Sequence, residues 1–369
     1  MMLLIFITSA SATVPISHDE QRISNSQLTA TEKAYTQWLA ELNNSLLKAS
    51  NAYKKTMGIA AAIKGIQASQ QLPGDKPPEP LLHLIAELNT IIKQEKLSNL
   101  TLSLLADVCF SPLIEDKCFK DILLNKQLTQ DSTNLIVYLK PLQLALKENN
   151  DELVSNLITV MSKSQLSYEP IGIAPDLDEA INDFVTSHPI PSSFIEAFKD
   201  DKALLSDLTE DISKNLDQNI ATYLSTSVKL SYSYLHNKPD FSPLMHVCKT
   251  NEELVGECVV ISQIMINHSN SIMVKGIGFS LLMAIHEVNE QEQYLKTTAK
   301  NHDTYKATIE CLYQSAHPKN HINNFLDPEY QKINLKMMDE FEKLKQLAQY
   351  NYNKYHKTDS TFVNPETCM

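Results

Sequence analysis

The chain has 369 residues, 43% of them hydrophobic, and a formal net charge of −12 from 32 basic and 44 acidic side chains. That balance argues against a nucleic-acid partner, whose phosphates reward a basic face, and the single arginine, Arg22, leaves almost none of the planar, bidentate grip that phosphate recognition favours. Only 7 glycines are present among abundant Leu, Ala, Lys and Gln, so the expected fold class is all-α, built as layered helical hairpins.

Residues 1–12 resemble a secretory signal peptide: an apolar run from Met1 to Ile7, then Ala10-Ser11-Ala12, with cleavage expected after Ala12. The run is short and no Lys or Arg precedes it. No cysteine sits at the cleavage point, so a lipid anchor is not expected. Residues 13–72 form an N-terminal amphipathic region. Tyr35, Trp38, Leu42, Leu46, Ala49, Tyr53, Met57 and Ala60 recur at spacings of three and four, which predicts one long helix or a close pair packed on the body of the chain. Residues 73–80, with Pro73, Gly74, Pro77, Pro78 and Pro80, read as a linker.

The first helical module, 81–168, opens on a helix with Leu81, Leu84, Ile85, Leu88, Ile91 and Ile92 on one face. Then comes a device that appears twice: Cys109-Phe-Ser111-Pro112 leading to Cys118, and Cys248-Lys-Thr250-Asn-Glu-Glu253 leading to Cys258. Ser111 is expected to cap a helix that starts at Pro112, and Thr250 with Glu253 to form a capping box. Each entering chain would fold back along its new helix far enough for the two sulfurs to join. Such local disulfides persist in oxidising compartments, which points outside the cytosol. Metal binding by these cysteines would need closer spacing. An Asn follows each clasp before the next helix, Asn134 in Thr133-Asn134 and Asn270 in Ser269-Asn270, although few other identities relate the two stretches.

Asp131 to Ser164 reads as a helical hairpin of tetratricopeptide length, similar in shape only, since the consensus positions of that repeat are out of register. Residues 169–245 form a connecting region. It is rich in loops around Pro170, Pro175, Pro189 and Pro191, then helical from Phe194 to about Tyr234, with Tyr232 and Tyr234 expected at a core edge. The second module, 246–369, holds the second clasp and an apolar helix from Ile272 to Ile285. That helix is too short to cross a bilayer, so no transmembrane segment is expected. Within it, Gly276 and Gly278 suit close helix packing and lack the third glycine of a dinucleotide loop. A single C-terminal helix from Asp327 to Tyr355 carries Met337, Met338, Phe341, Leu344 and Ala348. Cys311 and Cys368 are left to pair with each other by elimination, the alternatives being a free terminal cysteine or a bridge between two chains.

Chemistry-bearing motifs are sparse. His286-Glu287-Val-Asn-Glu290 is a broken form of the zinc-peptidase motif H-E-x-x-H. His286 and Glu290 would share a helix face as ligands, Glu287 would be the base, and His302 or Asp303 the third ligand; a solvated helix end is the plainer reading. His317 and His321 flank Pro318 in a turn, where their imidazoles need not converge. No phosphate loop, nucleophile elbow or calcium loop is present and no cofactor is expected. The expectation from these observations is an exported, periplasmic or secreted, disulfide-stapled helical protein that binds a protein or peptide partner or serves as a scaffold. The alternatives are a metal-dependent hydrolase centred on His286, Glu287 and Glu290, and a secreted effector of another activity.

Overall fold

The computed structural model describes residues 29–69, 79–200, 208, 210–317, 322–357 and 362–369. The expected signal segment, Arg22, most of the 73–80 linker and His321 lie outside them. Within them the regular structure is entirely helical, and extended backbone pairs only at two isolated bridges.

The N-terminal stripe resolves into a pair, α1 (Ala30–Leu47) and α2 (Ala52–Ser69), broken at 48–51. A capping box between Thr29 and Glu32 starts α1. The stripe keeps its inward face through both helices: Trp38, Leu42, Leu46, Tyr53, Met57 and Ala60 are all buried. Trp38 donates its indole N–H to the His188 carbonyl at 2.7 Å. α3 (Glu79–Ile92) already includes Glu79 and Pro80, the last two residues assigned to the linker, because proline suits a helix's first turn. α4 (Asn99–Cys109) and α5 (Lys120–Gln130) follow, then the hairpin expected from its periodicity, α6 (Leu139–Lys147) and α7 (Asp151–Met161), the first arm entered through a 3-10 turn at Leu135–Tyr138.

The 169–193 stretch is less irregular than its prolines suggested. Pro175 begins a thirteen-residue helix, α8 (Pro175–Ser187), since its fixed φ fits the first helical position. After α9 (Ser192–Lys199), α10 (Glu210–Lys214) and α11 (Leu216–Ser233) come α12 (Ser242–Thr250), α13 (Val255–Asn267) and α14 (Ile272–Val288). Gly278 lets α13 and α14 close together: a Cβ there would stand 2.9 Å from Met265 Cβ and 3.0 Å from the Ser262 carbonyl. A Cβ on Gly276 would meet nothing within 4 Å, so close packing involves only the second glycine. α15 (Glu292–Ala316) and α16 (Ile322–Phe325) precede the C-terminal region. The single helix expected there is two, α17 (Pro328–Leu335) and α18 (Glu340–Tyr355), because Asp339 captures the Phe341 and Glu342 amides as a new N-cap. Among the described residues no helix is long and apolar enough to cross a membrane.

All six cysteines are paired as expected: Cys109–Cys118, Cys248–Cys258 and Cys311–Cys368. The clasps work differently from the fold-back that their capping residues suggested. Cys109 ends α4, and Ser111 and Pro112 enter a turn followed by a 3-10 segment, Glu115–Lys117, rather than a helix. In the second copy the Thr250 hydroxyl bonds back to the His246 carbonyl, and Asn251, one residue later, caps the next turn. Each short disulfide therefore joins the end of one helix to the start of the next across a corner. The third ties α15 to the 3-10 turn at Pro365–Cys368.

Three apolar cores result. The first draws on 38–123 and 173–235 with Leu326 and Leu335, the second on 135–161 and 241–285, and the third on α15, α17 and α18.

Candidate functional site

A cleft of about 1240 Å³ lies where the three cores meet, lined by Leu102 and Ala106 from the first, Leu139 from the second, and Leu344 and Leu347 from the third. Part of its wall is an extended strap, residues 165–172. Gln165 N–H donates to the Thr133 carbonyl at 2.9 Å, Leu135 N–H to Leu166 at 2.9 Å, and Ser167 N–H to His268 at 3.1 Å, so the strap runs between two chain segments like a single strand. Two asparagine side chains complete it. Asn134 accepts from Tyr168 N–H and donates to the Tyr168 carbonyl, both at 3.0 Å. Asn270 does the same to Glu169, at 2.9 and 2.6 Å. Each amide mimics a backbone unit, so consecutive residues of the strap are held by different elements. The strap ends at Gly172, whose φ of 106° and whose approach to the Lys336 carbonyl exclude a side chain.

Three tyrosines line this cleft with much of their rings accessible: Tyr168 on the strap at 43%, Tyr234 beyond the end of α11 at 59%, and Tyr313 on α15 at 55%. Tyr232 and Tyr234, expected together at a core edge, separate: Tyr232 is buried, while Tyr234 faces the cleft. The segment after α11 is anchored by a buried polar chain. His236 Nδ1 lies 3.3 Å from the Asp107 carboxylate and its Nε2 3.3 Å from the Tyr53 hydroxyl. Asn237 donates to the Asp107 carbonyl at 3.1 Å, and Lys64 to the Tyr234 carbonyl at 3.0 Å. Burial pushes the Asp107 carboxyl above its ordinary range, and the bond and charge of His236 partly offset this. Burial likewise raises the Tyr53 phenol, which keeps its proton.

Lys343 also lines the cleft, and burial lowers its ammonium to about 8 against the attraction of Glu340. The Glu340 carboxylate is committed elsewhere, accepting the Ile272 N–H at 2.7 Å and the Ser271 hydroxyl at 3.4 Å. Glu169 is raised by burial, with a Ser271 bond opposing and the Glu340 charge adding to the rise.

The structure does not assemble the metal site considered from the sequence. α14 ends at Val288, and Glu290 sits beyond it in the left-handed region at φ 55°, with Gln291 N–H closing on the His286 carbonyl at 2.9 Å. This helix-ending turn removes Glu290 from the face that His286 occupies. His286 is buried, its Nδ1 2.7 Å from Gln291 Oε1, whereas Glu287 and Glu290 are exposed. His302 is buried against the Phe279 ring and Asp303 is exposed. Among the described residues no group of three His, Cys, Asp or Glu side chains is placed to hold a metal ion. His317 Nδ1 lies 2.8 Å from the Tyr330 hydroxyl.

Sequence reasoning missed Asp107, His236 and Lys343, which carry no motif. The two strap asparagines did leave a trace, since each follows a clasp and precedes a helix. Comparison with protein-family models, with curated proteins and with solved structures yields no match.

Proposed function

We propose that this is an extracytoplasmic binding protein whose cleft encloses a segment of a protein or peptide partner. The observation that carries the reading is the convergence of Tyr168, Tyr234 and Tyr313, all substantially exposed, on one concavity at the junction of three cores. Tyrosines supply large amphipathic contact area at low entropic cost and are enriched where proteins recognise one another. Their walls are braced by the strap and by the His236 network, so little ordering is left to occur on binding. Three disulfides and a chain with no free cysteine among the described residues support an oxidising compartment, the periplasm or the exterior.

In-cell photocrosslinking tests this reading. A photoreactive phenylalanine analogue replacing Tyr234 is expected to give a discrete adduct. The same substitution at Tyr294, equally exposed but outside the cleft, is expected to give none. Matching adduct patterns from both positions would overturn the reading.

A further inference from the structure

We propose that the cleft holds its ligand by a carboxylate seated on the Lys343 ammonium, with the ligand's apolar body against Leu344, Leu347 and Tyr313. The inference rests on the reading of the cleft as the binding site and names the chemical group recognised there. Lys343 is 8% exposed, lines the cleft, and its ammonium has no ion pair or hydrogen bond among the described residues. A cation withdrawn from water without an anion is costly, and the usual remedy is a partner on the next helical turn. Glu340 occupies that place, three residues back, but its carboxylate caps the start of α14 through Ile272 N–H. Glu340 attracts the Lys343 ammonium without contacting it, so a direct partner is left for a ligand to bring.

The residues beside Lys343 offer an apolar wall for the body of such a ligand. Leu344 and Leu347 follow Lys343 into the third core, and the Tyr313 ring stands exposed on the neighbouring helix. Four lysines, five carboxylates and two histidines line the cleft, among them Glu340 on the same helix as Lys343, Glu169 on the strap and His317 on α15. Glu340 remains a charged carboxylate while it accepts its hydrogen bonds, and burial, with that charge adding, raises the Glu169 carboxyl. The site contains no arginine, and a lysine acts as a point charge indifferent to the rest of the molecule. A peptide C-terminus and a free aliphatic acid offer it the same chemistry.

The experiment uses the oxidised full chain and four probes: an N-acetylated apolar tetrapeptide with a free C-terminus, its C-terminal amide, octanoate and octanamide. Affinity is read by calorimetry, and protection of Lys343 from trace acetic anhydride by peptide mapping, with exposed Lys296 as internal reference. An acid is expected to bind about tenfold or more tighter than its amide, and to protect Lys343 but not Lys296. Lys343→Met should abolish the preference and Lys296→Met should keep it. The labelling of unaltered protein needs no variant to fold. Tighter binding of the tetrapeptide assigns the carboxylate to a peptide terminus; tighter binding of octanoate assigns it to a small acid. Equal binding of acid and amide, no binding of any probe, or a preference surviving in Lys343→Met overturns the proposal. If tetrapeptide and amide bind equally well, the Lys343 assignment fails while the cleft reading stands. A carboxylate preference without crosslinks from position 234 has the opposite meaning.

Discussion

Lys343 is the residue at which stability and a binding role pull in opposite directions. Its pKa is lowered by burial to about 8, so between that value and the ordinary 10.5 the unfolded chain holds the proton and the folded chain does not. Stability must then rise with pH across this window, because the unfolded state binds more protons there. Below it, the folded state carries a poorly solvated charge. Lys343→Met has nothing to titrate, and is expected to be more stable than the parent at pH 7 by up to about 3 kcal/mol. The advantage should shrink between pH 8 and about 10.5, which denaturant titrations at several pH values would measure; a gain independent of pH would contradict the account. Gly276 and Gly278 make a sharper pair. Gly278→Ala should destabilise by about 1–3 kcal/mol, since neither Met265 Cβ nor the Ser262 carbonyl can move away cheaply. Gly276→Ala, with open space and a helical backbone, should stabilise by up to about 1 kcal/mol.

At the scale of elements, the recurring device is an asparagine amide doing the work of a strand. Asn134 and Asn270 grip Tyr168 and Glu169, and Asn89 does the same at the first clasp, accepting from Phe119 N–H and donating to the Lys117 carbonyl, both at 2.9 Å. Replacing Asn134 or Asn270 by Ala is expected to cost about 1–3 kcal/mol, because the strap's backbone groups lose partners. Amide exchange separates the two: Asn134→Ala should speed exchange at Tyr168, and Asn270→Ala at Glu169. Exchange that accelerates equally at both amides in either variant would show that the clamps do not act singly.

These elements also mark where the sequence was readable. The helices with strong periodicity, such as α3 and the α6–α7 hairpin, stand where their apolar residues put them. Boundaries failed where capping chemistry was locally ambiguous. Thr250 and Asn251 are both good caps, and Asn251 won; Asp339 broke a continuous apolar stripe that periodicity alone would extend. The cleft was not legible at all. Its residues come from segments more than a hundred positions apart, Asp107 with His236 and Asn270 with Glu169, and nothing local marks such pairs.

For the whole molecule, the three disulfides differ in reach. The corner staples span separations of 9 and 10 residues, and Cys311–Cys368 spans 57. On the chain-entropy model, replacing both cysteines of a pair by Ser should cost about 2.5–3 kcal/mol for either corner and about 4 kcal/mol for the long loop. Urea titrations of the three double variants would give the order, and a corner variant less stable than the Cys311–Cys368 variant would contradict it. The short staples lie within the first and second cores and the long one secures the third, so each core keeps one covalent tie of its own.

Trp38 is the chain's only tryptophan and belongs to the first core alone, buried with its indole N–H held by His188. Intrinsic emission excited at the red edge is therefore a one-core reporter. If the cores part company during heating, that signal will follow the first and stay silent about the other two, while far-ultraviolet dichroism follows them all.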